Sequence, residues 1–402
     1  MRSRLNGESH KRCHACGQDS VELFYEVRQI PVQSVLLFPT RADAVGMPKG
    51  DLLLGFCPFC GFIGNQAFDP DLIEFSSRYE ETQGFSATFT RFHTDLAMRL
   101  VERFHLRDKM VLEIGCGKGE FLTLLCEIGN NRGVGFDPVY DETRTISPAK
   151  ERMTFIKEFY SERYANVHAD LVCCKMTLEH IAEPLEFMRM IRKALGTQVD
   201  TRIFFQIPEV TKILREGAFW DLYYEHCSYF SPVSLEGLFR RAGFSVNEVW
   251  TEYDDQYLMI DAFPSAHAAP EARAMDQARI LDLHKTARSF ANDVTNRIRE
   301  WNDYLRARVQ EGRRMVIWGA GSKGVGFLTS MQMNHEITYA VDVNPHKHGT
   351  YLAGTGQEIV SPEFLRKYQP DTIFVMNPVY CNEIRASLAE MGIVAELVPL
   401  GA

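Results

Sequence analysis

Hydrophobic residues in this chain gather into short unbroken runs more often than they alternate with polar ones. Met110–Ile114 (MVLEI), RGVGF before Asp137, MTFIKEFY, ADLVCCK and TRIFFQIPE each read as a strand buried on both faces, the pattern of a parallel sheet. The first run enters Gly115-Cys116-Gly117-Lys118-Gly119-Glu120 and then the helical segment FLTLLCEIG. Strand, glycine turn and helix form the opening unit of a doubly wound α/β sheet, whose ligand crevice lies at the carboxyl ends of its strands. Two further strands, joined around Asp254-Asp255, are predicted in FSVNEVWTEYDDQYLMIDAF.

The same pattern recurs near the C-terminus on a smaller scale. Arg314–Trp318 runs into Gly319-Ala320-Gly321-Ser322-Lys323-Gly324, and ITYAVDV follows, ending near Asp342. This G-x-G-x-x-G spacing is a dinucleotide fingerprint and points to NAD. A reading that needs no dinucleotide stands beside it: the turn and helix N-terminus, with Gly319, Gly321 and Lys323, meet a phosphate of a nucleotide-linked substrate. Between the two units Ile280, Leu283, Ala287, Phe290, Val294, Ile298, Trp301 and Leu305 recur at three- and four-residue steps, one apolar face of a long helix. That face serves either as a strut between domains or as a dimer seam. The expected organisation is an N-terminal module over 1–75, an α/β domain over 76–268, a helical strut over 269–312 and a small Rossmann-like domain over 313–402.

Composition changes this picture little: 402 residues, 45% hydrophobic and 24% charged, are those of an ordinary multidomain globular chain. The formal net charge of −9 disfavours nucleic acid as a partner, because phosphate backbones need a basic face. MRSRLNGESHKRC lacks the apolar core of a signal peptide, and no apolar run reaches the ~18 residues of a membrane span. A soluble, cytoplasmic protein without membrane contact is expected. Reduced thiols then make metal the better reading of Cys13-His14-Ala15-Cys16-Gly17 and Cys57-Pro58-Phe59-Cys60-Gly61. Two such C-x-x-C-G turns supply Cys13, Cys16, Cys57 and Cys60 as a closed, structural four-cysteine site for Zn²⁺, with His14 a less suitable ligand.

The glycine turn (VLEIGCGKGEFL), the acid Asp137 after the second strand and LEHI after the fourth together resemble the class I S-adenosylmethionine-dependent methyltransferases. The resemblance implies that Glu113, Gly115, Cys116, Gly117 and Gly119 form the donor loop. It also implies that Asp137 takes the ribose hydroxyls, that Glu158 and Phe159 flank the adenine, and that His180 lines the donor pocket.

The order of cysteine module, methyltransferase, strut and small Rossmann-like domain resembles the sugar C-methyltransferases, which act on nucleotide-linked 4-keto sugars and use no nicotinamide. Their Tyr-His-Glu-His-x-x-Tyr signature is matched by Tyr223-Tyr224-Glu225-His226-Cys227-Ser228-Tyr229. The resemblance implies a class I α/β fold, S-adenosylmethionine and Zn²⁺ as cofactors, and a nucleotide-linked sugar as the small-molecule partner of a monomer or homodimer. His226 becomes the base that removes a proton next to a ketone, and Glu225 orients it or binds substrate. Tyr79, Tyr223 or Tyr229 donates to the enolate oxygen, and Tyr224 stands on the substrate side. Three departures mark a divergent branch: Tyr224 replaces the first histidine, Met176 stands where relatives often have histidine, and Glu80-Glu81 enters the SSRYEETQGF segment. O- or N-methylation, an NAD-linked oxidoreductase and a non-catalytic zinc-stabilised scaffold are the rival readings.

Overall fold

The computed structural model describes residues 11–265, 274–332 and 334–401. The first ten residues, on which most of the signal-peptide reading rests, and the boundary expected at 268 lie outside them.

The N-terminal module comprises β1 (Lys11–Arg12), β2 (Asp19–Pro31), helix α1 (Arg41–Gly46), β3 (Lys49–Phe56) and β4 (Ile63–Asn65). Its strands form an antiparallel sheet. Leu52, Leu54 and Phe56 alternate along β3 into the core, as the two-residue period of a strand requires. Each cysteine pair sits on a turn closed by the following glycine: Gly17 N–H donates to Cys13 O at 2.7 Å and Gly61 N–H to Cys57 O at 2.8 Å.

The central domain contains α2 (Ala87–Arg103), β5 (Met110–Ile114), α3 (Glu120–Gly129), β6 (Arg132–Phe136), β7 (Met153–Ile156), β8 (Leu171–Lys175), α4 (Pro184–Leu195), β9 (Arg202–Pro208), α5 (Val210–Glu216), β10 (Ser228–Tyr229), α6 (Pro232–Arg241), β11 (Phe244–Glu252) and β12 (Tyr257–Pro264). Seven of its strands lie in the order β11-β12-β9-β8-β5-β6-β7. The five from β5 to β9 are parallel, and β12 and β11 close one edge antiparallel. The order reverses between β8 and β6 on either side of β5, so the crevice opens at the end of β5, where the glycine turn stands. Strand β10 leaves this sheet and pairs with β4 of the N-terminal module, Ser228 opposite Gly64 and Tyr229 opposite Ile63.

Helix α7 (Ala274–Gln310) follows, then β13 (Met315–Trp318), α8 (Ser322–Ser330), β14 (Tyr339–Val341), β15 (Glu358–Val360), α9 (Leu365–Tyr368), β16 (Thr372–Val375), α10 (Cys381–Met391) and β17 (Glu396–Pro399). These strands form a parallel sheet in the order β15-β14-β13-β16-β17. Ile280, Leu283, Ala287, Phe290, Val294 and Leu305 of α7 are buried inside this chain. Phe290 meets Tyr25 edge-on at 5.1 Å, and Trp301 meets Phe327 at 5.2 Å, so one stripe holds the first and last modules together. Among the described residues no helix is long and apolar enough to cross a membrane.

Candidate active site

The donor loop follows from backbone geometry. Gly115, Gly117 and Gly119 all have positive φ (69°, 52° and 79°), a region that side-chain-bearing residues rarely enter. A Cβ on Gly117 would lie 2.7 Å from Glu81 Oε1, so the loop leaves a cradle that any larger residue would fill. Asp137 accepts from Gly117 N–H and from Val139 N–H, each at 2.9 Å, and so fixes the loop while facing the cavity. Burial raises its pKa. Glu113, one turn below, accepts from Leu122 N–H at 3.0 Å, and burial pushes it up to about 8. Cys116, Glu158 and Phe159 also line the cavity, Phe159 meeting Phe75 edge-on at 5.1 Å.

The reactive loop runs from the end of α5 to β10. His226 is buried among Tyr223 and His180, each ring 4.8 Å away and nearly perpendicular. Burial, with His180 beside it, holds its pKa well below the usual imidazole value, so its ring is neutral. Glu225 does not face His226. Its Oε1 accepts from Ser34 N–H at 2.9 Å and from the Ser34 hydroxyl, and its Oε2 from the Tyr79 hydroxyl at 3.1 Å. His180, expected to line the donor pocket, lines the same cavity beside His226, its Nδ1 3.1 Å from Glu225 O.

Two expected residues fall elsewhere. Tyr224 is buried against Gly50, where a Cβ would lie 2.2 Å from its ring, and its hydroxyl accepts from Asp69 N–H at 2.8 Å. It is a core residue beside the N-terminal module and is not among the residues that line the cavity. Tyr229 is likewise consumed by the loop: its hydroxyl accepts from Tyr223 N–H at 3.1 Å and donates to Tyr223 O at 3.0 Å. Neither phenol lines the cavity: Tyr224 packs into the core beside Gly50, and β10 commits Tyr229 to the sheet.

The C-terminal domain supplies the far wall, with Gly319, Gly321, Ser322 and Lys323. Ser322 Oγ is 2.7 Å from Ser34 Oγ, and Lys323 Nζ donates to Asp221 Oδ2 at 2.7 Å. Asp221 in turn accepts from the Tyr223 hydroxyl at 2.9 Å. Helix α8 comes this close because Gly326 has no side chain: a Cβ there would lie 2.8 Å from Trp220 O. Asp342, where a dinucleotide ribose would sit, accepts from Ala320 N–H at 3.0 Å and pairs with buried Lys347 at 3.3 Å.

Sequence reasoning gave no site role to Lys175, Glu80 or Ser34. Buried Lys175 abuts His93 Nε2 and lies 3.8 Å from the centre of the Phe121 ring, and burial lowers its pKa to about 8. Glu80 accepts from Arg144 at 2.9 and 3.2 Å and from Asn344 at 2.9 Å, tying all three walls at one point. Ser34 carries no motif at all. A cavity of about 930 Å³ joins the donor loop, the reactive loop and the C-terminal turn.

The four thiols converge as a metal site requires. Cys13 and Cys60 Sγ are 3.6 Å apart and Cys16 and Cys57 Sγ 3.7 Å, near the ~3.8 Å edge of a tetrahedron with 2.3 Å zinc–sulfur bonds.

A family model described as a methyltransferase domain matches residues 89–249, and one described as a C-methyltransferase C-terminal domain matches residues 262–395. The C-methyltransferase NovU of Streptomyces niveus is 27% identical over 387 residues, 92% of this chain and 90% of its own. This chain is an S-adenosylmethionine-dependent methyltransferase, similar over nearly its whole length to a C-methyltransferase. The methyltransferase also matches the tRNA U34 carboxymethyltransferase of Helicobacter acinonychis (strain Sheeba), 33% identical over 99 residues, but over only 22% of this chain and 37% of that one. The solved magnesium protoporphyrin IX methyltransferase of Synechocystis PCC 6803, with S-adenosylhomocysteine bound, covers 44% of this chain and 84% of its own. At 18% identity and a TM-score of 0.33 that likeness is too loose to bear on the site.

Proposed function

We propose that this methyltransferase removes a proton from a carbon next to a ketone of a nucleotide-linked sugar and methylates that carbon. The observation that carries the reading is the continuous cavity: the donor loop, a neutral buried imidazole and a C-terminal glycine turn share one space. Gly115, Gly117, Gly119 and Asp137 hold the donor, whose sulfonium supplies an electrophilic methyl group when bound. His226 accepts the proton, which its neutral ring can do without first losing one. Its place against Tyr223 and His180 fixes the ring's direction. Glu225 positions Tyr79 and Ser34 rather than His226. The C-terminal turn lies where the nucleotide portion of the substrate would reach. The name of the Streptomyces relative and the C-terminal family match support transfer to carbon.

The test follows hydrogen at the carbon beside the ketone. With S-adenosylhomocysteine bound, a nucleotide-linked 4-keto deoxysugar should exchange that hydrogen for deuterium from solvent, read by NMR. Methylation without exchange would favour an oxygen or nitrogen acceptor. Asp137→Asn should weaken S-adenosylmethionine binding by about 10–100-fold in calorimetry, the scale of hydrogen bonds to a charged group. NADH titration should show no saturable binding, because buried Lys347 already pairs with the Asp342 carboxylate; a fluorescence isotherm would revive the oxidoreductase reading.

A further inference from the structure

Formation of an enolate needs a hydrogen-bond donor for the developing oxyanion as well as a base. The three phenols expected to supply that donor have each spent their proton. Tyr79 donates to Glu225, Tyr223 to Asp221 and Tyr229 to Tyr223 O. Glu225 is filled by Ser34 and Tyr79. One group in this part of the cavity wall is differently placed. Glu179 is 2% exposed, and among the described residues neither of its carboxyl oxygens has a hydrogen-bond partner. Its side chain, His180 and His226 bring a carboxyl oxygen and two ring nitrogens within 4.8 Å of one another.

The position is built, since the reactive loop clamps the segment carrying Glu179 at two points. Cys227 Sγ donates to Glu179 O at 3.6 Å and Ser228 Oγ to Ile181 O at 2.7 Å. An ionised carboxylate without partners is costly at such a site, whereas a neutral carboxylic acid carries a proton to give.

We propose that Glu179 is a catalytic residue, a neutral carboxylic acid that donates the hydrogen bond to the enolate oxygen while His226 takes the proton from the neighbouring carbon. This deepens the carbon-methylation reading and rests on it. In the step His226 gains the proton and the C–H pair becomes the new carbon–carbon π bond. The carbonyl π pair moves onto oxygen, which Glu179 O–H holds. When the carbon bonds to the methyl group the carbonyl reforms, the sulfur keeps the electrons of the broken C–S bond, and His226 returns its proton to solvent. Burial, reinforced by the nearby Glu225 charge, pushes Glu179 up to about 8, in keeping with this role. A carboxylic acid kept neutral by an apolar site serves as oxyanion donor in ketosteroid isomerase.

The experiment measures solvent-deuterium exchange at the carbon beside the ketone, using nucleotide-linked 4-keto deoxysugars with S-adenosylhomocysteine bound to the whole 402-residue chain. Glu179→Ala should slow exchange by about 10²–10³-fold, the cost of losing one oxyanion donor. Glu179→Gln, which keeps an N–H donor in the same shape, should recover most of that loss. The wild-type rate should fall as pH rises through about 8, where Glu179 ionises, and this alkaline limb should be absent from Glu179→Gln. S-adenosylhomocysteine affinity should be unchanged in both variants.

Wild-type exchange accompanied by equal exchange in Glu179→Ala would overturn the inference alone. Should Glu179→Ala fail to fold, an unaltered alkaline limb in Glu179→Gln would do the same. A second metal equivalent that disappears with Glu179→Gln would also overturn it, making the trio a metal centre. Wild-type methylation without any exchange would overturn the proposed function and this inference together.

Discussion

Replacing His226 with alanine should lower turnover by about 10²–10⁴-fold, the usual contribution of a general base, while S-adenosylmethionine binds as in the wild type. The two effects separate because the donor loop and Asp137 belong to the ends of β5 and β6, whereas His226 rides on the loop ahead of β10. Its pKa is depressed below the usual value by burial and by His180, so the base form persists across the neutral range and is lost only in acid. With Glu179 ionising at about 8, the rate should be flat near neutrality and decline on the alkaline side. Calorimetry with S-adenosylhomocysteine and single-turnover kinetics would read the two effects separately. Full activity in His226→Ala, or in His226→Asn should the alanine variant unfold, would remove His226 as the base.

Cys57→Ser should abolish methyl transfer for a different reason. Cys57 is buried at the end of β3, and the four thiols that hold the module's turns include it. Structural zinc sites carry apparent binding free energies of about 10–16 kcal/mol, so losing a ligand unfolds a small module rather than loosening it. Unfolding would take away the β4 partner of β10 and the Ser34 partner of Glu225, and with them the reactive loop. The central sheet keeps its own strand pairs, so donor binding should suffer less than methyl transfer. Elemental analysis should find about one zinc in the wild type, the content of a closed site of four thiolates, and much less in the variant. A metal-free wild type with full activity would remove zinc from the account.

The features legible in the sequence are those whose determinants are neighbours in the chain. The glycine turn, Asp137 and both cysteine pairs are short segments whose backbone dictates their shape. The α7 stripe could be read because a 3.6-residue period survives any tertiary setting. Illegible features depend on partners far away in sequence. Tyr224 and Tyr229 look like Tyr223 as residue types, and only distant partners decide that Tyr223 lines the cavity while Gly50 and Asp69 take Tyr224 and the β10–β4 pairing takes Tyr229. Glu225 reads as a partner for His226 by adjacency, yet Ser34, 191 residues away, claims it. Glu179 passes unnoticed beside His180, because a missing partner leaves no trace in sequence. The C-terminal fingerprint leaves its ligand open in sequence, and the structure adds that Lys347, five residues on, pairs with Asp342.

The pairing of β10 with β4 also sets an order on synthesis. When β1 to β4 emerge from the ribosome their sheet has an open edge at β4, and residues 66–227 must follow before β10 can cover it. Open edges recruit other strands, so nascent chains stalled within that interval, and fragments ending near residue 75, are the species most prone to aggregate. Expression of the N-terminal module alone is therefore the poor choice for a truncation experiment, and coexpression with the remainder of the chain in trans the better one.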